Sequence, residues 1–442
     1  MAILFCPHCD VSASGKLFTP ERFVSEITSD QSRPVYLCAT AERQLREWTR
    51  SAANRSLRRI EDAYALGRYK IARRERREHI ARRAVHLHAL FLALRMQWPV
   101  LSSMSSEEQE RVRRHRIRVA FEQLPRIGNF RKPARARMRL KPKRNGQGHR
   151  GITSFGWVDK ARQFVLRSAF QPFANLHEAQ FMYAHEGIPR GPAAVREALL
   201  SSLADRGDGW SFLQFDIVDF YGSISHAWLE SNLGIDPMVV SRHVHTGQMM
   251  IKRPRKMATV HATHEANAEG GLRGIPQGSA LSPIIADWIM AQVLRDTAVF
   301  DELPVYVWSD NVGVLAPRHR EREIVGLVRE AFERHGAGPF KLTYSAKPTV
   351  EEFKFLGTNY RVDECGVPHA YIAEQIWSNW VSSIGSRLLI AGSNEIADIE
   401  RHVAGKRAAW SWWGGWPAIE DEVASLIASA KMQPGVSERI AA

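Results

Sequence analysis

Two acidic residues stand where apolar runs end, a setting suited to metal-dependent chemistry. Asp216 follows the largely apolar stretch 212–215, which predicts a buried strand that leads to a carboxylate. Asp310 lies between the short apolar runs 305–307 and 312–315, and this pattern predicts a hairpin with the acid at its tip. Hard divalent cations prefer oxygen ligands, and strands hold carboxylates rigidly. Both aspartates are therefore candidate metal ligands.

Other polar and aromatic residues accompany the two acids at short spacing. Tyr221 stands five residues after Asp216, and a further acid, Asp219, stands three residues after it. Asn311 directly follows Asp310, and its amide can donate an oxygen ligand but brings no charge. Asp219 has two interpretations, a supporting role near a bound phosphate or a turn or helix-cap role.

A loop rich in glycine and proline lies between the two acids. The run Gly-Ile-Pro-Gln-Gly at 274–278 lets the backbone come close to a ligand, with Gln277 as its polar side chain. Ser282 and Pro283 then predict the start of a helix, with the serine as its cap and the proline in its first turn. The apolar run 284–294 suits a core helix.

Three segments in this order, 215–224, 274–283 and 305–311, resemble motifs A, B and C of reverse transcriptases. Lys347 and the turn at 355–357 follow where motifs D and E of that family would fall. The resemblance extends over roughly residues 120–360, and the ordered set is far more specific than any single motif.

The resemblance implies a site for two divalent ions. Asp216, Asp310 and the backbone carbonyl of Ile217 are the implied ligands of Mg²⁺ or Mn²⁺, which would support nucleotidyl transfer. Motif C of the family is usually Tyr-x-Asp-Asp, whereas this chain has Trp-Ser-Asp-Asn at 308–311. With Asn311 in the second place, we expect weaker metal binding and slower chemistry, without loss of activity.

The resemblance also implies contacts to the incoming nucleotide. Tyr221 occupies the position that lies under the sugar and clashes with a 2′-hydroxyl, so it favours deoxynucleotides. Gln277 is expected to bond the template or the nucleotide, and Asp219 to support the triphosphate if it has a role there. Arg150 and Arg190 match the basic positions of two finger motifs that grip the triphosphate.

Two further segments match the family after motif C. Lys347 corresponds to the lysine proposed to protonate or neutralise the pyrophosphate leaving group. Phe355, Leu356 and Gly357 resemble the primer grip, a tight turn that positions the primer 3′ end. Without the resemblance, the first would be a surface lysine and the second an ordinary hairpin.

A short cysteine motif near the start has the spacing of a zinc knuckle. Cys6 and Cys9 flank a Pro-His pair, and Cys38 with His8 or a later histidine would have to complete a four-ligand zinc site. Reduced, unliganded thiols are the default interpretation. The chain's four cysteines are too few and too unevenly spaced for a disulfide framework.

Composition favours a globular protein with a polyanionic partner. The chain has 442 residues, is 44% hydrophobic and 24% charged, and carries a formal net charge of +14. An excess of positive charge favours nucleic acid, although a generally basic protein without such a partner remains an alternative. No apolar run reaches the length of a membrane span, so we expect no membrane association and a cytoplasmic location.

The predicted fold class is α+β, a right-hand polymerase with fingers, an antiparallel palm sheet and a helical thumb. Residues 1–124 form an N-terminal region of mostly basic helices, 125–357 the fingers and palm, and 358–442 a helical C-terminal region, with helix expected directly beyond 357. The block 125–150 predicts an extended loop or hairpin. The tryptophans after 376 are expected to pack a small core or to stack on bases.

These features predict an RNA-directed DNA polymerase of bacterial type, related to retron, group II intron, diversity-generating or phage-defence enzymes. Its expected partners are an RNA template, a primer and dNTPs, with a cognate non-coding RNA or a partner protein. Two alternatives stay open. One is an RNA-dependent RNA polymerase, suggested by the Asp310–Asn311 pair, and the other is a non-catalytic RNA-binding protein on a decayed palm.

Overall fold

The chain packs into two units whose segments alternate along the sequence. A computed structural model describes residues 24, 37, 39–100, 104–142, 149–182, 191–206, 209–254 and 272–432. The first unit comprises Met1–Glu178, Ile217–Ala298 and Val328–Leu342; the second comprises Ala179–Asp216, Val299–Leu327 and Thr343–Ala442. Packing thus groups the basic N-terminal helices with residues 125–178. The three-part functional division made from the sequence stays a prediction.

The first unit is mostly helical. Its elements are α1 (Ala39–Ala65), α2 (Tyr69–Ala81), α3 (Arg83–Gln97), α4 (Ser106–Ile127), β1 (Arg135–Pro142), β2 (His149–Phe155), α5 (Trp157–Phe170), a 3₁₀ turn (Gln171–Phe173), α7 (Phe220–Ser223), α8 (His226–Asn232), α9 (Pro237–His243), β4 (Met250–Lys252) and α10 (Ser282–Arg295). The predicted N-terminal helices and the predicted core helix over 284–294 are confirmed.

Helix α4 begins and ends on specific hydrogen bonds. Ser105 and Glu108 form a capping box at its start, which satisfies two backbone N–H groups. The sequence predicted extended structure from Pro125, but the helix continues to Ile127. The Arg162 guanidinium donates to the carbonyls of Arg126 and Ile127, which satisfies the last turn. Extended structure therefore begins only at β1.

A small sheet in the first unit, with strand order β2-β1-β4, presents a basic face. Strand β1 pairs antiparallel with β2 and parallel with β4. Ala136 and Met138 of β1 are buried, while Arg137 and Arg139 alternate with them and are exposed. The hairpin predicted within 125–150 is confirmed, with its second strand extending to Phe155.

The second unit contains two sheets and a C-terminal group of helices. Its elements are α6 (Pro192–Ala204), β3 (Trp210–Ile217), α11 (Val299–Glu302), β5 (Val305–Trp308), β6 (Asn311–Pro317), a 3₁₀ turn (Arg318–Arg320), α12 (Glu321–Arg334, which continues into the first unit), β7 (Leu342–Pro348), β8 (Phe353–Phe355), β9 (Thr358–Val362), β10 (Pro368–Tyr371), α13 (Glu374–Leu388), α14 (Ser393–Trp410) and α15 (Trp416–Lys431).

A four-stranded sheet with the order β5-β6-β3-β7 forms the centre of the second unit. Strand β6 is buried from Val312 to Ala316, and Phe212 and Phe215 of β3 are almost completely buried. Burial on both faces explains why these strands read as apolar runs in the sequence. The predicted strand before Asp216 and the predicted hairpin around Asp310 are confirmed.

The chain does not become helical directly after Gly357, as the sequence analysis expected. Strands β9 and β10 follow, and with β8 they form a second sheet in the order β10-β9-β8. Buried Tyr360 and Val362 alternate with exposed Arg361, which is the period of a strand. Helix begins only at Glu374. A five-residue alternation is too short to stand out against the longer helical segment behind it.

The tryptophans of the C-terminal helices pack a core. Trp410 and Trp416 are buried, with ring centroids 6.0 Å apart in an edge-on arrangement. Ile419 and Val423 of α15 belong to the same cluster. The core interpretation is therefore confirmed for these two rings. Among the described helices, none is long and apolar enough to cross a membrane.

Candidate active site

The two predicted carboxylates lie at one end of the four-stranded sheet. Asp216 stands directly opposite Asn311 in the antiparallel pairing of β3 with β6, and Asp310 immediately precedes Asn311. Directly opposed residues of such strands have Cα atoms about 4.5–5.5 Å apart. Asp216 is exposed and Asp310 is half-buried. Asp216 therefore comes from the end of a strand and Asp310 from the adjoining turn, and both carboxylates remain accessible.

The turn that carries Asp310 is tight and strained. Trp308 pairs with Asn311, so only Ser309 and Asp310 form the loop, and Ser309 has a positive φ of 57°. The Asn311 amide Nδ2 donates a hydrogen bond to Asp310 Oδ1 at 3.1 Å. Non-glycine residues in this backbone region are uncommon, and such strain clusters at functional sites. The asparagine thus orients the Asp310 carboxylate.

This donor set suits a magnesium-type ion more than a zinc ion. It consists of the carboxylates of Asp216 and Asp310 and the amide of Asn311. The carbonyl of Ile217, the further ligand that the resemblance implies, belongs to the first unit, and its role stays a prediction. All are hard oxygen donors, and Mg²⁺ is usually bound by one or two carboxylates together with waters and substrate phosphates. The described residues contain no cluster of three or more His, Cys, Asp and Glu that would form a complete protein cage.

The structure places Lys347 away from Asp216 along strand β7. Thr343 Oγ1 donates to the Asp216 carbonyl at 3.4 Å, and Thr349 N donates to the Trp210 carbonyl at 3.0 Å, so β7 runs antiparallel to β3. Lys347 lies four residues beyond Thr343, or about 13 Å at roughly 3.3 Å per residue. The Nζ atom of Lys347 is 3.5 Å from Oε2 of Glu351. The leaving-group role of Lys347 stays a prediction.

The predicted primer-grip segment is a two-residue hairpin. Phe355 pairs with Thr358, and both central residues have positive φ, 48° at Leu356 and 84° at Gly357. This is the geometry of a primed turn, in which glycine is favoured and leucine is strained. Phe355 is buried against Phe212 of the four-stranded sheet. The packing of Phe355 on Phe212 therefore anchors the turn. The contact of this turn with a primer stays a prediction.

In the first unit, the loop 274–278 is packed directly on strand β2. Thr153 N donates to the Gln277 carbonyl at 2.7 Å. Gly278 has a φ of 103°, and a Cβ there would lie 2.2 Å from the Thr153 carbonyl oxygen. Only glycine fits such an approach. Gln277 is thus held beside β2, the strand that also carries exposed Arg150.

Two side chains of α5 hold the same loop, and the sequence analysis did not assign them this role. Lys160 Nζ donates to the Gly278 carbonyl at 2.9 Å, and Gln163 Oε1 accepts from Ala280 N at 3.0 Å. Burial lowers the pKa of Lys160. Their spacing of three residues places both on one helix face, which is the only sequence signal available.

The segment after Asp216 is tied to the loop by its backbone. Tyr221 O accepts from Ile275 N at 2.9 Å, and Gly274 N donates to Ile224 O at 2.7 Å. Asp219 has a φ of 50°, and a Cβ on Gly222 would lie 2.2 Å from its Oδ2. Asp219 stands at the N-cap position of α7, but its side chain makes no cap hydrogen bond.

The start of α10 differs from the prediction. Leu281 occupies the N-cap position, and Ser282 is the first helical residue rather than the cap. The Ser282 hydroxyl donates to the Pro276 carbonyl at 2.9 Å. A backward hydrogen bond to the loop satisfies the hydroxyl better than the cap position would, because Ser282 is fully buried. Pro283 lies in the first turn, as predicted.

One known protein family accounts for both groups of residues, those around Asp216 and Asp310 and those around Gln277. Residues 141–360 match the profile of the family described as "Reverse transcriptase (RNA-dependent DNA polymerase)". The chain belongs to the reverse transcriptase family. The match contains Asp216, Tyr221, Gln277 and Asp310, and it agrees with the extent of the resemblance found in the sequence. No curated protein matches the chain.

Beneath the motif B loop of this reverse transcriptase lies a pair of stacked histidines that the sequence analysis did not identify. The rings of His226 and His245 are 3.8 Å apart and nearly parallel. His226 Nε2 donates to the Gly274 carbonyl at 2.9 Å, and His245 Nε2 donates to Glu230 Oε1 at 2.9 Å. Burial lowers the pKa of His226 to about 4 and also lowers that of His245. Both rings are therefore neutral at pH 7, which permits the stacking.

Several predicted residues lie outside the part of the chain that the structure describes. These are Arg190, the second predicted triphosphate contact, and Cys6, Cys9 and Cys38, the candidate zinc ligands. The triphosphate role of Arg190 and the zinc site stay predictions. Cys365 is exposed and makes no disulfide.

Proposed function

We propose that this reverse transcriptase is an active RNA-directed DNA polymerase, which adds deoxynucleotides to the 3′ end of a primer. The observation that supports this most strongly is the pairing of Asp216 with Asn311 and the placement of Asp310 in the adjoining turn. The resemblance matches these residues to the positions at which the family holds its catalytic metals. In this proposal, the four-stranded sheet is the palm, the β1–β2 hairpin belongs to the fingers, and α13–α15 form the thumb.

Asp216, Asp310 and the Ile217 carbonyl would hold Mg²⁺ or Mn²⁺, which as a Lewis acid stabilises developing negative charge on phosphate oxygens. Asn311 keeps the Asp310 carboxylate oriented through its 3.1 Å hydrogen bond. Tyr221 excludes the ribose 2′-hydroxyl, and Gln277 contacts the template or the incoming base. Preorganised ligands of this kind need no rearrangement when charge develops.

The basic face of the β2-β1-β4 sheet supports a nucleic-acid substrate. Arg137 is paired in register with Lys252, and Lys141 is paired with Arg150, so these side chains share a face with Arg139. No described acid forms an ion pair with any of the five. Such a row of cations suits phosphates of a strand or of a triphosphate. Arg150, and Arg190 beyond the described residues, would grip the nucleotide, while Lys347 would serve the leaving group.

Primer extension on an RNA template tests the proposal. Wild-type protein is incubated with a primed RNA, Mg²⁺ or Mn²⁺, and labelled dNTPs or NTPs in separate reactions. We expect extension with dNTPs only. Asp216→Asn and Asp310→Ala should lower the rate by on the order of a thousandfold, because each removes a metal ligand worth several kcal/mol of transition-state stabilisation.

A matched control and a sugar test complete the experiment. Asp301→Ala removes an exposed acid from α11 and should leave extension unchanged. Tyr221→Ala should admit NTPs if the side chain is the sugar gate. Equal extension by the wild type and both metal-ligand variants would contradict the proposal. Incorporation of NTPs by the wild type would favour an RNA polymerase, and binding of RNA without incorporation would favour a non-catalytic protein.

A further inference from the structure

A cavity in the first unit is lined by none of the residues assigned to polymerisation. It has a volume of about 660 Å³ and is lined by residues of α2, of α5 and of the segment 234–239, which leads into the first turn of α9. Small-molecule sites in proteins commonly measure about 300–1,000 Å³. Its size is therefore that of a site for a nucleotide-sized ligand.

The cavity is lined by a buried arginine that forms an ion pair with no acid in the part of the chain that the structure describes. Arg76 is 4% exposed and donates to the backbone carbonyls of Leu233 and Gly234. Its guanidinium also lies over the Phe173 ring, 4.3 Å from the ring centre. These partners satisfy its hydrogen bonds but carry no formal negative charge. Burying an unbalanced charge is costly, so the surroundings of Arg76 favour an anion.

Two more arginines line the same cavity and strengthen its positive charge. Arg73 and Arg77 are exposed and lie one helical turn apart on α2. Burial first, and then these two neighbours, lower the pKa of Arg76 to about 10. The lining has one acid, Asp236, whose carboxylate caps α9 by accepting from Met238 N. The lining therefore keeps a net positive charge.

Two nearby arginines that do not line the cavity, Arg59 of α1 and Arg74 of α2, show a different arrangement. Arg74 forms ion pairs with Glu75 and Glu78, and Arg59 pairs with Glu75. No described acid forms an ion pair with Arg73 or Arg77. The acids of α2 thus neutralise the arginines outside the cavity and leave those at its mouth available for a ligand.

The remaining walls of the cavity are apolar. Ile80, Leu166 and Ile235 are half-buried or buried and line the same space as the arginines. An inorganic anion alone would leave these walls uncovered. A ligand with a phosphate and a flat apolar group matches both parts, since phosphate accepts from guanidinium groups and a base packs against aliphatic side chains.

We propose that this cavity is a second nucleic-acid contact, which binds one nucleotide unit with its phosphate at Arg73 and Arg77 and its base against Ile80, Leu166 and Ile235. The same chemistry is offered by a nucleotide of a single-stranded RNA and by a free nucleoside monophosphate. The site does not depend on the proposed polymerase activity, because none of its residues belongs to the predicted catalytic set.

Binding assays on the full chain test the site and distinguish the two sources. A short fluorescent single-stranded RNA is titrated at several salt concentrations, and labelled AMP and inorganic phosphate are measured by equilibrium dialysis. Arg73→Gln and Arg77→Gln should weaken RNA binding several-fold and each lower the salt slope by about 1. Ile235→Trp should weaken binding without a change in the slope, because it fills the cavity at constant charge.

Arg74→Gln is the matched control, since it removes the same charge from the same helix outside the cavity. It should bind RNA as the wild type does. Loss of AMP binding in the cavity variants with unchanged RNA binding would support the site and identify a free nucleotide as its ligand. Wild-type affinity for both RNA and AMP in Arg73→Gln and Arg77→Gln, or an equal loss in Arg74→Gln, would overturn the proposal.

Discussion

At the residue scale, the second position of motif C distinguishes this chain from most reverse transcriptases. Asn311 replaces the usual aspartate, and its amide donates to the carboxylate of Asp310. An aspartate at this position would lose that hydrogen bond and add a like charge. Asn311 therefore brings no charge to this turn, and its amide stabilises the neighbouring carboxylate by a hydrogen bond.

Asn311→Asp should make the protein more dependent on metal. Without divalent ions, repulsion between adjacent carboxylates should lower the unfolding free energy by about 1–4 kcal/mol. Added Mg²⁺ should raise the melting temperature more than it does in the wild type, and primer extension at limiting Mg²⁺ should increase. Thermal unfolding with and without Mg²⁺ measures this. Asn311→Ala serves as control, because it removes the hydrogen bond without adding charge; equal metal responses in all three proteins would refute the argument.

At the scale of elements, the motif B loop is positioned by strand β2 and helix α5. Three contacts converge on it: Thr153 N to Gln277 O, Lys160 Nζ to Gly278 O, and Ala280 N to Gln163 Oε1. Together they leave the backbone of the loop little freedom. A substitution that shifts β2 away from the loop should therefore displace Gln277, even though Gln277 itself is unchanged.

Gly278→Ala should destabilise the protein and slow primer extension. Its Cβ would lie 2.2 Å from the Thr153 carbonyl oxygen, and a φ of 103° disfavours any side chain. We expect a loss of about 1–3 kcal/mol from the strained backbone. Gly326→Ala is the matched control: Gly326 is exposed in α12 with open space around it, so alanine should stabilise by about 0.5–1 kcal/mol. Melting temperatures that move in the same direction for both variants would contradict this explanation.

At the scale of the whole molecule, buried histidines make stability depend on pH. His79, His226 and His243 lie in the first unit, and burial is the main cause that lowers the pKa of each from 6.5 to about 4. His79 Nε2 donates to Ser168 Oγ and His243 Nε2 donates to the Phe130 carbonyl, while the buried Nδ1 of each ring has no hydrogen-bond partner among the described residues. Protonation of Nδ1 would therefore bury an unpaired N–H and a charge. The unfolded chain would bind protons to these rings at a higher pH than the folded chain does.

The contribution of these rings to stability should therefore be constant above pH 7 and be lost as the pH drops from about 6.5 to 4. Each fully buried ring, His79 or His243, contributes on the order of 1–3 kcal/mol to this loss. Thermal unfolding across the range measures it. In His243→Gln, the amide can still donate to Phe130 O but cannot titrate, so the fall should be shallower. A wild-type melting temperature that is flat from pH 7 to 4 would contradict the prediction.

The sequence by itself determined the strands that lead to Asp216 and Asp310 and the hard-oxygen chemistry of these side chains. Apolar runs around Asp216 and Asp310 predict the strands, because a strand buried on both faces consists mostly of consecutive apolar residues. The order of the motifs predicts the family.

Only the tertiary structure decided which distant residues meet. It brings Lys160 and Gln163 to the motif B loop, stacks His226 on His245, and places Arg76 against the Gly234 carbonyl in the lining of a cavity. These contacts join residues far apart in the chain. The local pattern of apolar residues indicates which side chains are buried, but not which distant residue each one contacts. Such contacts are therefore seen only once the elements are packed together.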